Sequence, residues 1–128
     1  MRVVAALGGN ALLERGEKPD SEIQEPHVQR AVRALAPLAR DHDLVVTHGN
    51  GPQVGVLALE SAGDPALSRS YPLDVLGAQT QGMIGYWLVR GLRNEIPARQ
   101  AGCLLCQTRV DRDDPPFASP AKLVGPGL

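Results

Sequence analysis

Two short polar turns carry the residues whose types and spacing suit chemistry. Gly8-Gly9-Asn10 follows the apolar run Val3-Val4-Ala5-Ala6-Leu7, and Gly49-Asn50-Gly51 follows Leu44-Val45-Val46-Thr47-His48. Glycine lacks a Cβ, so the chain can turn sharply there and present bare backbone N–H groups. Successive N–H groups form a concave nest that attracts anions. The second turn runs into Pro52, a residue at home in the first turn of a helix. A helix N-terminus therefore faces the same loop, and its dipole adds to the pull on an anion. The alternative is a pair of tight turns that need positive φ at glycine or asparagine. The spacing of Gly49, Gly51 and Gly55 is G-x-G-x-x-x-G, not the dinucleotide fingerprint, and no G-x-x-x-x-G-K-[ST] loop is present.

Other reactive side chains are open to two readings each. His48 stands beside the second turn as a general acid or base, or as a hydrogen-bonded structural histidine. His27 and His42 read as surface residues. Cys103 and Cys106 form a Cys-x-x-Cys, which suits a redox pair or half of a metal site. The favoured reading is plainer: Cys-Leu-Leu-Cys is an apolar strand whose two thiols point to opposite faces. Asp111, Asp113 and Asp114 suggest a metal site or, more simply, a solvated acidic loop. Lys122 lies on a proline-stiffened loop and could reach over an anion as a point charge.

The elements that must position these residues follow from periodicity. Residues 2–7 and 44–48 read as buried strands, continuously apolar as parallel strands covered on both faces are. Residues 14–24 read as a loop. A helix is predicted to start near Glu25-Pro26, with Val28, Ala31, Val32, Leu35, Leu38 and Ala39 on its apolar face and Pro37 as a bend. A second helix runs from Pro52 to about Ser61 and ends at Gly63-Asp64-Pro65. A third runs from about Leu73 to Glu95; Gly77, Ala78, Gly82 and Gly85 point to a close helix contact or local unwinding. Cys103 to Thr108 is predicted as a third strand, and Asp111 to Leu128 has little periodicity. This order predicts a three-layer α/β/α sandwich with a mainly parallel sheet.

The bulk numbers exclude several function classes. At 128 residues the chain is one domain in size. Thirteen basic and 14 acidic residues give a net charge of −1, with no global pull toward nucleic acid or an anionic membrane. The four aromatics, Tyr71, Tyr86, Trp87 and Phe117, form no stacking platform for bases. No run approaches the ~20 apolar residues that span a bilayer. The N-terminal apolar run is too short for a secretory signal, so the cytoplasm is the expected location.

Three stretches together resemble a known family. Ala6-Leu7-Gly8-Gly9-Asn10-Ala11, His48-Gly49-Asn50-Gly51-Pro52-Gln53-Val54-Gly55, and Pro72-Leu73-Asp74-Val75 with Gln81-Gly82-Met83-Ile84-Gly85-Tyr86 are similar to the carbamate kinases, a branch of the amino-acid kinase family. The surroundings of Lys122 and Gly125-Pro126 resemble that family too. The broader family has a lysine where Ala6 stands, as in acetylglutamate and uridylate kinases; alanine is the carbamate kinase pattern.

The resemblance implies phosphoryl transfer between ATP and carbamate, with ADP and carbamoyl phosphate on the other side. It implies Mg2+, a homodimer and a place in arginine catabolism. It implies that Gly8, Gly9, Asn10, Gly49, Asn50 and Gly51 hold carbamate and the transferring phosphoryl group. Lys122 would be catalytic, on a protruding subdomain that closes over the site. Residues 1–110 would then be the acceptor-binding part and 111–128 the start of that subdomain. The family's chains are more than twice this length, with the nucleotide-binding half following, so the chain is expected to be an N-terminal portion with little activity alone. Two rivals remain. One is a non-catalytic binding or dimerisation module with the helix at about 73–95 as its contact surface. The other is a kinase of another small acid, against which Ala6 and the Gly49–Gly55 stretch argue.

Overall fold

A computed structural model of the protein describes residues 1–119. Two strands, β1 (Arg2–Leu7) and β2 (Asp43–His48), lie side by side in parallel. Parallel strands need a long crossover, and helix α1 (Ser21–Asp41) supplies it. Helices α2 (Gly51–Gly63) and α3 (Leu73–Glu95) follow. Short 3₁₀ turns lie at Gly9–Ala11 and Pro115–Phe117. This is the α/β pattern anticipated.

The core forms where α1 crosses α3 over the sheet. Leu12, Val28, Val32, Leu35, Ala36 and Ala39 meet Ile84, Trp87, Leu88, Leu92 and Ile96. Ala5 and Leu7 of β1 and Leu44 and Val46 of β2 pack beneath them. The opposite face behaves differently. Val4 is 66% exposed and Val45 44%. Among the described residues, then, helices cover one face of the sheet, and the predicted cover on both faces is not seen. A run of valines and alanines carries no signal that tells one covered face from two.

Helix α1 begins at Ser21, four residues before the predicted start. Ile23 and Gln24 donate backbone N–H groups to the Asp20 carbonyl, 3.1 Å each, and open the helix inside what reads as a loop. Pro26 and Pro37 both lie within it. Each interior proline costs about 3 kcal/mol. Burying Val28, Val32 and Leu35 returns roughly 1.5–3 kcal/mol per side chain, so tertiary packing outweighs local preference. His27 is buried, not on the surface: its Nε2 donates to Glu17 at 2.9 Å and ties the preceding loop down.

The third predicted strand is not formed among the described residues. The segment 101–110 has no ladder. Its substitute is the Gln81 side chain of α3. Gln81 Oε1 accepts from Cys106 N–H at 2.7 Å, and its Nε2 donates to the Cys106 carbonyl at 3.2 Å. Those are the two bonds a neighbouring strand would make. Cys103 and Cys106 are free and exposed. The close contacts of α3 are at Gly85, against Cys103, and at Gly91, against Val32; Gly77 and Gly82 face open space among the described residues. No helix among the described residues is long and apolar enough to cross a membrane.

Candidate functional site

The strand register brings the two glycine turns together. Leu7 stands beside His48, and Gly49 N–H donates to the Leu7 carbonyl at 3.1 Å. A Cβ on Gly49 would lie 3.7 Å from Gly9 N, and one on Gly9 would lie 3.8 Å from Pro52 Cδ. Both turns therefore sit at the carboxyl ends of neighbouring parallel strands, where open α/β sheets bind ligands.

The turns do not need glycine for their backbone conformation. Gly8 is extended at φ −67° and ψ 162°. No glycine or asparagine in either turn has positive φ; Gly16, elsewhere, does. The tight-turn alternative is therefore wrong for both. Packing does not demand glycine at every position either. Among the described residues, no atom lies within 4 Å of a Cβ built on Gly8 or Gly51. The missing side chains leave open space directly over the backbone.

The N-terminus of α2 opens into that space without a side-chain cap. Asn50 is its N-cap, and an asparagine there ordinarily accepts from the second or third helical N–H. Here the second helical residue is Pro52, which has no N–H. Asn50 turns instead to α3 and donates its Nδ2 to Thr80 Oγ1 at 2.7 Å. Thr80 has no exposed surface and donates its hydroxyl to the Gly77 carbonyl at 2.9 Å. Gln53, buried like Thr80, donates to Gln24 Oε1 of α1 at 2.8 Å. Two polar side chains thus tie the start of α2 to both other helices. Gln53 Oε1 is itself buried with no partner among the described residues.

Sequence reasoning missed Thr80, Gln53 and Gln24. Thr80 had a signal. Leu76, Thr80 and Ile84 follow at four-residue steps on the buried stripe of α3, so a lone hydroxyl interrupts an apolar row. Gln53 sat in plain view within the second turn's sequence.

The remaining predicted residues lie apart. His48 Nδ1 donates to the neighbouring Gly49 carbonyl at 3.1 Å, so the ring braces the turn. Asp111 Oδ1 accepts from Asp113 N–H at 3.1 Å within an exposed loop. Among the described residues no three His, Cys, Asp or Glu side chains converge as a metal site would require. Lys122 lies outside the described residues. A cleft of about 460 Å³ lies away from the turns. It runs beside β2, where the third strand was predicted, lined by apolar residues such as Val46, Leu88, Leu92 and Leu104. It offers hydrophobic cover, while the oriented N–H donors are at the turns.

Known proteins resemble this chain in sequence and fold. The amino acid kinase family profile matches residues 1–116. A carbamate kinase from Rhizobium meliloti is 53% identical over 128 residues, covering 98% of this chain and 39% of its own length. The structure of Giardia carbamate kinase superposes with a TM-score of 0.86 at 40% identity, covering 97% of this chain and 43% of that one. Carbamate kinase from Giardia lamblia bound to AMP-PNP gives 0.84 at 39% identity, over 98% and 46%. The chain spans about two-fifths of the length of the curated relatives it matches.

Proposed function

This chain belongs to the amino acid kinase family, and from that premise we propose that it supplies the acceptor side of a carbamate kinase. Its two turns hold carbamate and the phosphoryl group in transfer. The observation that carries the proposal is the open space at Gly8 and Gly51, where neither φ nor packing calls for glycine. A small anion laid on that backbone needs the room a Cβ would fill. Carbamoyl phosphate is such an anion, with a planar end and a charged end.

Phosphoryl transfer depends mainly on positioning and on neutralising charge at oxygens. Backbone donors fixed in advance do both without reorganising. In this reading Gly8, Gly9, Asn10, Gly49, Asn50 and Gly51 hold the acceptor, and Lys122 brings a point charge to the transferring oxygens. Residues 1–110 are the acceptor-binding part, and 111–128 begin a subdomain that closes over it. ATP and ADP are the phosphoryl partners, in keeping with the nucleotide analogue bound to the Giardia lamblia enzyme. Mg2+ enters this reading through the likeness alone. A homodimer, the cytoplasm and arginine catabolism belong to the same reading and rest on the likeness alone.

Calorimetric titration of the 128-residue chain with carbamoyl phosphate is the test. Saturable binding is expected, weakened at least tenfold by Asn50→Ala and unchanged by Ala58→Ser on the following helix. Equal losses from both would reduce the loop to a structural role. The 128 residues alone are expected to form no ATP from ADP and carbamoyl phosphate.

A further inference from the structure

We propose that Thr80 is a positioning residue for this site. It fixes which end of the Asn50 carboxamide is left to a ligand, and so favours an amino-bearing acyl phosphate over acetyl phosphate. The inference rests on the reading of the turns given above.

A threonine hydroxyl has one proton. Thr80 spends it on the Gly77 carbonyl, 2.9 Å away. Toward Asn50, Oγ1 can then only accept, and only Nδ2 of the carboxamide can donate. The flipped carboxamide would have to take the Thr80 proton onto Oδ1, leaving one hydrogen bond where the observed arrangement has two. Thr80 is fully buried, so no water replaces the bond that is lost. The hydrogen-bond count therefore favours one orientation of an otherwise ambiguous amide: Nδ2 faces α3 and Oδ1 remains as an acceptor.

The same pair explains two local oddities. An N-cap asparagine that does not cap its helix is free for another task. A hydroxyl on the buried stripe between Leu76 and Ile84 costs free energy unless it is used; valine would fill the same volume.

A fixed acceptor rewards a ligand that brings an N–H. Carbamoyl phosphate carries an amino group where acetyl phosphate carries a methyl. A polar site rejects an analogue that leaves its acceptor unpaired far more strongly than an apolar site rejects an added group. With Thr80→Val the carboxamide loses its lock, and the preference should fall.

The experiment compares the wild-type chain, Thr80→Val and Thr80→Ser. The dissociation constants of carbamoyl phosphate and acetyl phosphate are measured by calorimetry, and the Asn50 side-chain amide is followed by 15N–1H NMR. The wild type should prefer carbamoyl phosphate at least tenfold. Thr80→Val should bring the ratio within about threefold and speed solvent exchange of the Asn50 amide protons tenfold. Thr80→Ser should keep the wild-type ratio and exchange rate. A valine variant with an unchanged ratio, or a serine variant that behaves like valine, would overturn the proposal. Should valine prevent folding, the wild type still decides: a nuclear Overhauser contact between the Asn50 amide and the Thr80 methyl supports the pairing, and its absence overturns it. A chain that shows the contact but binds neither phosphate supports the pairing and overturns the acceptor-site reading instead.

Discussion

The glycines of the two turns and the glycines of α3 are the same residue used for opposite reasons. At Gly8 and Gly51 an added Cβ meets no described atom within 4 Å. At Gly91 it would meet Val32 Cγ2 at 2.8 Å and Cγ1 at 3.3 Å. The first pair leaves room for something that is not protein. The second lets one helix lie against another. A glycine-to-alanine series therefore separates binding from packing without changing the chemistry of the substitution.

The largest effect on stability should come at Gly91. Val32 has no exposed surface and packs in the middle of the core, so it cannot swing aside. Overpacking of this kind costs roughly 1–3 kcal/mol, against which alanine regains up to about 1 kcal/mol of helix propensity. Gly91→Ala should thus destabilise by about 1–2 kcal/mol in urea unfolding, while leaving any affinity per folded molecule unchanged. Gly85→Ala should cost less, because its obstacle is exposed Cys103, whose thiol can rotate and whose Cβ, 3.0 Å from the added methyl, can shift with a segment that forms no ladder. A Gly91→Ala chain as stable as wild type would show that the α1–α3 seam is looser than its geometry.

The turns should answer the other way. Gly8→Ala and Gly51→Ala adopt backbone angles open to any residue and restrict the unfolded chain, which favours folding by about 0.4–1 kcal/mol. Stability should hold or rise. Affinity for carbamoyl phosphate should fall at least tenfold, about 1.4 kcal/mol, because the new methyl occupies the ligand's place. Loss of stability with affinity intact would reverse the comparison and return these glycines to a structural role.

How much of this was legible in the sequence differs by element. Helix α3 was predicted from about Leu73 to Glu95, and its observed ends agree. Its signals are local: long apolar spacing, with Pro72 before it. The two strands were equally legible, because Gly-Asn turns cut off short valine-rich runs. The start of α1 was not, because Gln24 looks like a loop residue and is buried only through its partner Gln53; His27, which looks like a surface residue, is likewise buried only through Glu17. The third strand failed for a related reason. Cys103–Thr108 has strand composition, but a strand exists only by its ladder, and within the described residues its partner is one glutamine side chain. The site divides the same way. Both turns could be read from residue type and order, whereas Thr80 acts across 30 positions of sequence, a distance that local pattern does not encode.

A neutral control lies on α3 itself. At Gly77 and Gly82 no described atom would meet a Cβ, and both lie inside a regular helix, where alanine outranks glycine by about 1 kcal/mol. Each Gly→Ala change should raise stability by roughly 0.5–1 kcal/mol. Gly77 also offers the carbonyl that Thr80 uses, but a backbone oxygen survives a change of side chain, so affinity should not move.

The smallest effect should come from charge on the same seam that Gly91 packs. Arg90 of α3 donates to Glu25 of α1 at 2.8 Å, with the two side chains 37% and 42% exposed. Pairs this exposed contribute about 0–1 kcal/mol and are screened by salt. Arg90 also lies over the Tyr86 ring, 5.3 Å from its centre, so it keeps a partner when the carboxylate is gone. Glu25→Gln should therefore cost under 1 kcal/mol at low salt and less at higher ionic strength. If it cost as much as Gly91→Ala, the helices would be held by a charge pair. The geometry argues that they are held by the absence of one methyl group.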